Sequence, residues 1–473
     1  MEDAMNRRQF LSSIPATAFA AGKRPPNIIW IMGDDLGYSD LGCYGQKIIQ
    51  TPHIDRLATQ GTRCTDAYSG CTVCAPSRSV LMTGRHMGHT TVRSNPGGVP
   101  IHAEDVTIAQ VLKQAGYATG CFGKWGIGDI GTPGVPWLHG FDDFTGYLSQ
   151  VHAHFYYPPY LWKNDQKIYF PENKGGLSGT YSHDVIAQHA LDFVGRNKSN
   201  PFFCYMPVTL PHWELLVPED SMAPYRGKVQ EAAEPFIDKA NHYATQKEPR
   251  AAYAGMVSRL DRSVGRVMDR LKELNIENET LLIFTSDNGG ALRLRNDDYF
   301  KSYGPFRGNK QNFYEGGIRV PMIVRWPGKV PSGRVSDFPW MFQDALPTLA
   351  DVAGVKPPRN IDGMSVLPAL LGKKQKPHDF LYWEQPRHNA KTGEFLRETP
   401  MQAVRMGDWK AVRPKPGGPL ELYNLKTDIG ETTDVAASNP AVLKKIEDYL
   451  KTARTEPTRQ TQPEHDWWGP PKW

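Results

Sequence analysis

Short, unbroken apolar runs recur along the chain, each followed by a stretch in which apolar residues return every three or four positions. Asn27-Ile28-Ile29-Trp30-Ile31-Met32 is the first run and predicts a buried strand. Ile108, Val111, Leu112 and Ala115 then have helical spacing, with Gly116 at the stop. Tyr117–Phe122, Phe202–Met206 and Leu281–Thr285 predict further strands. Met256, Val257, Leu260, Val264, Val267, Met268, Leu271 and Leu274 trace one face of a long helix. This alternation predicts an α/β fold with a large, mostly parallel sheet flanked by helices. After the polar break Gly372–Pro377 the pattern changes. Phe380–Glu384, Met401–Arg405, Trp409–Arg413 and Leu420–Asn424 predict short strands, and Asn439-Pro440 a helix cap with proline at the first helical position. Residues 375–473 are therefore expected to form a smaller antiparallel sheet plus helix, distinct from the main unit at 23–374. Trp467, Trp468 and Trp473 are expected to pack over apolar surface.

Composition narrows the class. The 473 residues are 40% hydrophobic and 22% charged, with a formal net charge of +5. Basic residues are scattered, which gives nucleic-acid binding little support. No apolar stretch reaches the ~20 residues of a spanning helix. Asn6-Arg7-Arg8-Gln9-Phe10-Leu11, followed by small and apolar residues and by Ala18-Phe19-Ala20, predicts a twin-arginine-type signal over residues 1–22 and a periplasmic or secreted protein. The six cysteines, Cys43, Cys64, Cys71, Cys74, Cys121 and Cys204, are too sparse for a disulfide scaffold and leave room for one or two bridges.

The informative residues follow the predicted strands. Asp34-Asp35 follow the first, Lys124 the second, His212 the third and Asp287-Asn288 the fourth. Sites in open parallel sheets form outside the carboxyl ends of the strands. One Asp-Asp or Asp-Asn pair alone reads as a turn or cap. Two such pairs at equivalent positions bring three carboxylates together, which requires a cation, and an oxygen set suits Ca²⁺ or Mg²⁺. The second pattern runs from Cys71 to Arg85. Pro76 fits a first helical turn, placing Cys74 just before a helix N-terminus, where backbone N–H groups favour anions. Cys71-x-x-Cys74 by itself also fits a redox pair or half of a zinc site.

Cys74-x-Pro76-Ser77-Arg78 with Thr83-Gly84-Arg85 resembles the signature of type I, formylglycine-dependent sulfatases, in the alkaline phosphatase superfamily. Further family-like segments follow the same order: Asn27–Gly37, Thr51–Ala58, Gly123-Lys124-Trp125-Gly126, Pro211-His212, Ser286–Gly289, Gly308-Asn309-Lys310, Tyr314–Pro321 and Leu422–Leu425 with Asp428 and Glu431. The resemblance implies hydrolysis of a sulfate ester, with Cys74 converted to formylglycine by a formylglycine-generating or sulfatase-maturing enzyme. It implies one Ca²⁺ held by Asp34, Asp35, Asp287, Asn288 and residue 74. Arg78, Lys124 and Lys310 are implied to hold the modified side chain and the sulfate, and His212 to protonate the leaving oxygen. A hydrated aldehyde gives two hard hydroxyls on one carbon: one attacks sulfur, and the other re-forms the aldehyde and expels sulfate.

The chain departs from the family at Gly126, where many members carry a histidine that orients or deprotonates the modified residue. His152, His154 and Gln150 are the candidates to replace it. His152, His154 and Arg307 are also candidate substrate contacts, the histidines lying in an aromatic segment with Phe155, Tyr156 and Tyr157. The expected substrate is a sulfated carbohydrate or aryl sulfate. Alternatives are a phosphonate monoester or phosphodiester hydrolase using the same site, and a sulfated-glycan-binding protein without turnover.

Overall fold

A computed structural model describes residues 24–237, 243–291, 298–389 and 391–460. The expected signal segment 1–22 and Trp467, Trp468 and Trp473 lie outside the described residues. The strands in chain order are β1 (Asn27–Gly33), β2 (Thr62–Cys64), β3 (Ala67–Tyr68), β4 (Ala118–Lys124), β5 (Asp143–Tyr147), β6 (Tyr160–Lys163), β7 (Gln166–Tyr169) and β8 (Phe202–Pro207). They continue with β9 (Thr280–Ser286), β10 (Met322–Arg325), β11 (Arg334–Ser336), β12 (Trp340–Met341), β13 (Leu381–Gln385), β14 (Met401–Met406), β15 (Trp409–Arg413) and β16 (Glu421–Asn424).

Ten of them form one sheet in the order β11-β2-β10-β9-β1-β8-β4-β5-β6-β7. Its centre, β9-β1-β8-β4-β5, is parallel. Antiparallel β10 joins one side and the β6–β7 hairpin closes the other. The central strands are buried along almost their whole length because both faces are covered. Ile28, Trp30 and Met32 of β1 enter one core, and Ile29 and Ile31 the other, as the two-residue alternation of a strand requires. The first core also takes Val80, Leu81 and Met82 of the helix Cys74–Thr83. The second takes the apolar face of the helix Pro249–Glu273, from Met256 to Leu271. That helix begins well before the apolar stripe read from sequence, because its first turns carry small residues, Ala251, Ala252 and Ala254, buried in the second core.

The C-terminal part is the expected antiparallel sheet, β13-β14-β15-β16, with Ile446 of the helix Pro440–Leu450 packed among Tyr382, Val404 and Leu422. Pro440 occupies the first helical position, but the Asn439 side chain does not cap it. Its amide donates instead to Val435 O at 3.0 Å. The two sheets are joined by a buried ion cluster in which Lys410 Nζ lies 2.8 Å from both Glu315 Oε1 and Glu431 Oε1. All six cysteines are free thiols, so no bridge contributes to this fold. Among the described residues no helix is long and apolar enough to cross a membrane.

Candidate active site

The carboxyl ends of β1, β4, β8 and β9 converge on one buried pocket, and the parallel register explains why. Gly33 pairs with Ser286, so Asp34-Asp35 and Asp287-Asn288 leave the sheet side by side. Asp35 N–H donates to Asp287 Oδ1 at 3.1 Å. Ser286 Oγ accepts from Leu36 N–H and donates to Asn288 O, both at 3.0 Å, tying the two turns together. Asp35 adopts a left-handed φ of 62°, a conformation that Asp tolerates better than most residues and that marks a constrained site.

Cys74 is brought in by the helix Cys74–Thr83. It is the first helical residue, with Val73 as cap, rather than the residue before the helix as its sequence suggested. Its Sγ lies 3.2 Å from Asp34 Oδ1, 3.8 Å from Asp35 Oδ1 and 3.4 Å from Lys310 Nζ. One turn on, Arg78 donates from Nη2 and Nε to Asp287 Oδ2 at 2.7 and 3.2 Å and from Nη1 to Lys124 O at 2.5 Å. The Ser77 hydroxyl donates to Asp287 O at 2.5 Å. Lys124 Nζ reaches Asp34 Oδ2 at 2.7 Å. Lys310 Nζ lies 2.7 Å from Asp35 and 3.5 Å from His212 Nε2, and that nitrogen is 3.3 Å from Asp35 Oδ2.

The side chains of Asp34, Asp35, Arg78, Lys124, His212 and Asp287 are buried and that of Lys310 is 10% exposed, so the charges act on one another strongly. Burial raises Asp34, but Lys124, His212, Arg78 and Lys310 outweigh it and hold its carboxyl well below the usual range. Burial and the Asp34 charge push Asp287 up to about 6. Burial, Asp287 and Asp34 keep the Cys74 thiol protonated, far above its ordinary value. A carboxylate forced toward protonation and a thiol that cannot ionise describe a pocket built for additional positive charge.

The donor set was tested against a hard cation. Asp34, Asp35, Cys74 and His212 each offer a ligand atom within 4.8 Å of the others. Asn288 donates from Nδ2 to Asp35 Oδ1 at 2.7 Å and to Gly289 O at 2.9 Å, which leaves its buried Oδ1 without a partner. A buried amide oxygen beside three carboxylates fits an oxygen-seeking divalent ion. Asp287 joins the pocket through Asp35 and Arg78, which already engage both of its oxygens.

The tentative substrate contacts divide. His154 reaches the site: its ring lies face to face with that of His212, centroids 4.8 Å and planes 12° apart. His152 does not. Its Nε2 pairs with Tyr160 O at 3.1 Å, its ring packs between Tyr147 and Tyr160, and burial lowers it to about 3, so it is a core histidine. Arg307 is exposed and turned toward the C-terminal sheet: its guanidinium stacks on Tyr314 at 3.9 Å and donates to Tyr423 Oη and Glu431 O. At Gly126, with φ of 78°, the space that a side chain would occupy is filled by Gln150: an added Cβ would lie 2.3 Å from Gln150 Nε2 and 3.5 Å from Arg78 Cδ. Gln150 Nε2 donates to Gly126 O at 3.2 Å.

Sequence reading missed Tyr243, whose ring lies 5.1 Å from His154 and 6.1 Å from His212. Nothing in the sequence flanking Tyr243 marks it, because it lies outside any helix or strand and carries no periodic signal.

The comparisons with known proteins agree with this geometry. The sulfatase family profile matches residues 26–355, and the profile of the N-sulphoglucosamine sulphohydrolase C-terminal region matches 303–456. N-acetylgalactosamine-6-sulfatase of Canis lupus familiaris is 33% identical over 422 residues, covering 83% of this chain and 72% of the relative. Arylsulfatase A of Homo sapiens is 31% identical over 491 residues, covering 91% and 88%. The solved structure of Ps i-CgsB in complex with k-i-k-neocarrahexaose superimposes with a TM-score of 0.77 at 30% identity, over 93% of this chain and 96% of that one. The chain belongs to the sulfatase family and is a sulfuric ester hydrolase.

Proposed function

We propose that this protein hydrolyses a sulfate monoester on a sulfated carbohydrate, using residue 74 as formylglycine and one Ca²⁺ held by Asp34, Asp35, Asp287, Asn288 and residue 74. The observation that carries the reading is the Cys74 side chain, 1% exposed, set against the carboxylates of Asp34 and Asp35 and the ammonium of Lys310. Once present, the hydrated aldehyde and the cation supply a hard oxygen nucleophile and a charge that acidifies it. The chain's own residues do the rest. Lys124 and Lys310 provide fixed positive charge for oxygens that become more negative as the S–O bond lengthens. Arg78 locks Asp287 and the end of β4, which holds the Lys124 backbone rigid. His212 Nε2 stands beside Lys310 and Asp35, where it gives a proton to the departing alcohol. Gln150 occupies the space beside Gly126, where many relatives carry a histidine, and is the residue placed to take over that histidine's role.

The carbohydrate assignment draws on the relatives, one of which is an N-acetylgalactosamine-6-sulfatase and another a structure holding a neocarrahexaose. Residues 23–374 form the catalytic unit and 375–473 the appended subdomain in this reading. Residues 1–22 direct export by the twin-arginine route, after a formylglycine-generating or sulfatase-maturing enzyme has acted. Peptide mass spectrometry at residue 74, with turnover of position-defined sulfated saccharides and an aryl phosphodiester as control, tests the proposal. Aldehyde at position 74 and preference for the sulfate esters are expected. Thiol alone in protein from its native host overturns it.

A further inference from the structure

The turn after β5 reaches His212 at two places. The short helical turn His152–His154 is closed by Ala153 N–H to Ser149 O at 3.3 Å and His154 N–H to Val151 O at 3.0 Å, and Tyr147 Oη donates to Phe155 O at 2.7 Å. From the same turn the Tyr156 hydroxyl lies 2.6 Å from Thr209 O and 3.1 Å from His212 O, which fixes the His212 backbone. His154 meets the other end of that residue through the 12° face-to-face stack, and Tyr243 covers both rings. The last torsion of a histidine side chain is broad and roughly two-fold. The backbone contacts alone therefore do not set the imidazole plane.

We propose that His154 is a positioning residue for His212: its ring sets the plane of the His212 imidazole, so that Nε2 stays turned toward Asp35 and Lys310. This rests on the reading of His212 as the proton donor. In that step the sulfuryl group passes from the ester oxygen to the nucleophile oxygen proposed for residue 74, forming one S–O bond as the other breaks; the electron pair of the broken bond remains on the departing oxygen, which takes the Nε2 proton. A ring rotated out of plane loses the transfer but not the binding of the sulfate.

The test compares the matured wild type with His154→Ala, His154→Phe and His212→Ala on two sulfate esters, one of nitrophenol and one of a saccharide hydroxyl that the enzyme turns over. Nitrophenolate leaves without protonation, whereas the saccharide alkoxide does not. His154→Ala is expected to lower kcat on the saccharide ester by about 10–100-fold, with the nitrophenyl ester changed less than about 3-fold and KM little altered on either. His154→Phe keeps a flat face and is expected to recover most of the saccharide activity. Equal losses on both esters from His154→Ala, or a Phe variant no better than Ala, overturn the proposal. His212→Ala separates the two levels. If it shows no leaving-group dependence, the proton-donor reading falls and the positioning role falls with it. If it shows that dependence and His154→Ala does not, the positioning role alone is refuted.

Discussion

Replacing Gly126 by alanine perturbs the contact that distinguishes this site, and its cost can be divided from the structure. Two terms arise. The left-handed backbone, φ 78°, opposes any L side chain by roughly 1–2 kcal/mol. The new Cβ also lands 2.3 Å from Gln150 Nε2, so the amide must move. Displacing a packed side chain and losing its hydrogen bond to Gly126 O costs about 1–3 kcal/mol. Gly126→Ala should therefore destabilise the protein by about 2–5 kcal/mol in all. Only the second term depends on Gln150. In a Gln150→Ala background the same substitution should cost about 1–2 kcal/mol, a coupling of about 1–3 kcal/mol in a double-mutant cycle. Denaturant unfolding of the wild type, both single variants and the double variant measures it. Costs that add to within about 0.5 kcal/mol would falsify the claim that Gln150 fills this space.

Other expectations concern charge. Lys410→Met leaves Glu315 and Glu431 buried without their shared cation and should cost about 3–5 kcal/mol at pH 8. Burial and Glu315 already bring Glu431 to about 6, so protonation should relieve much of that loss at pH 5.5, and thermal melts at the two pH values should show it. Glu214 is raised by burial from 4.5 to about 7 while it accepts from Ala244 N–H. Its contribution is complete below pH 4.5 and is lost as pH rises through 7, so Glu214→Gln should be more stable than wild type at pH 8 by up to about 3 kcal/mol and gain little at pH 4. Adding Ca²⁺ to metal-free protein should stabilise it by about 2.7 kcal/mol at a hundred times the dissociation constant. Asp35→Asn should abolish that shift in a calorimetric scan, and an unchanged response would remove Asp35 from the ligand set.

The central sheet was legible because β1, β8 and β9 are buried on both faces and so read as unbroken apolar runs. The edges were not. Thr62–Cys64 and Arg334–Ser336 are three-residue strands, too short for any periodicity to show. Asp34-Asp35, Lys124 and Asp287-Asn288 were legible for the same reason as the strands, since each stands at the end of an apolar run, whereas Cys74, Arg78 and Lys310 were read only through the family resemblance. Gln150, His154 and Tyr243 sit on connections, where the sequence carries no period to say which way a side chain turns. His152 and His154 make the point sharply: two positions apart on one turn, one is a core ring and the other stacks on His212.

The enclosure of Cys74 also sets an order of events. Its pocket is assembled by contacts such as that between Asp35 and Asp287, 252 positions apart, so it does not exist until most of the chain has paired. If residue 74 matures as proposed, the enzyme that converts its sulfur reaches it on an open chain, before the strands close. On that proposal the same walls then keep stray amines away from the carbonyl, and a molecule that folds before conversion keeps its thiol.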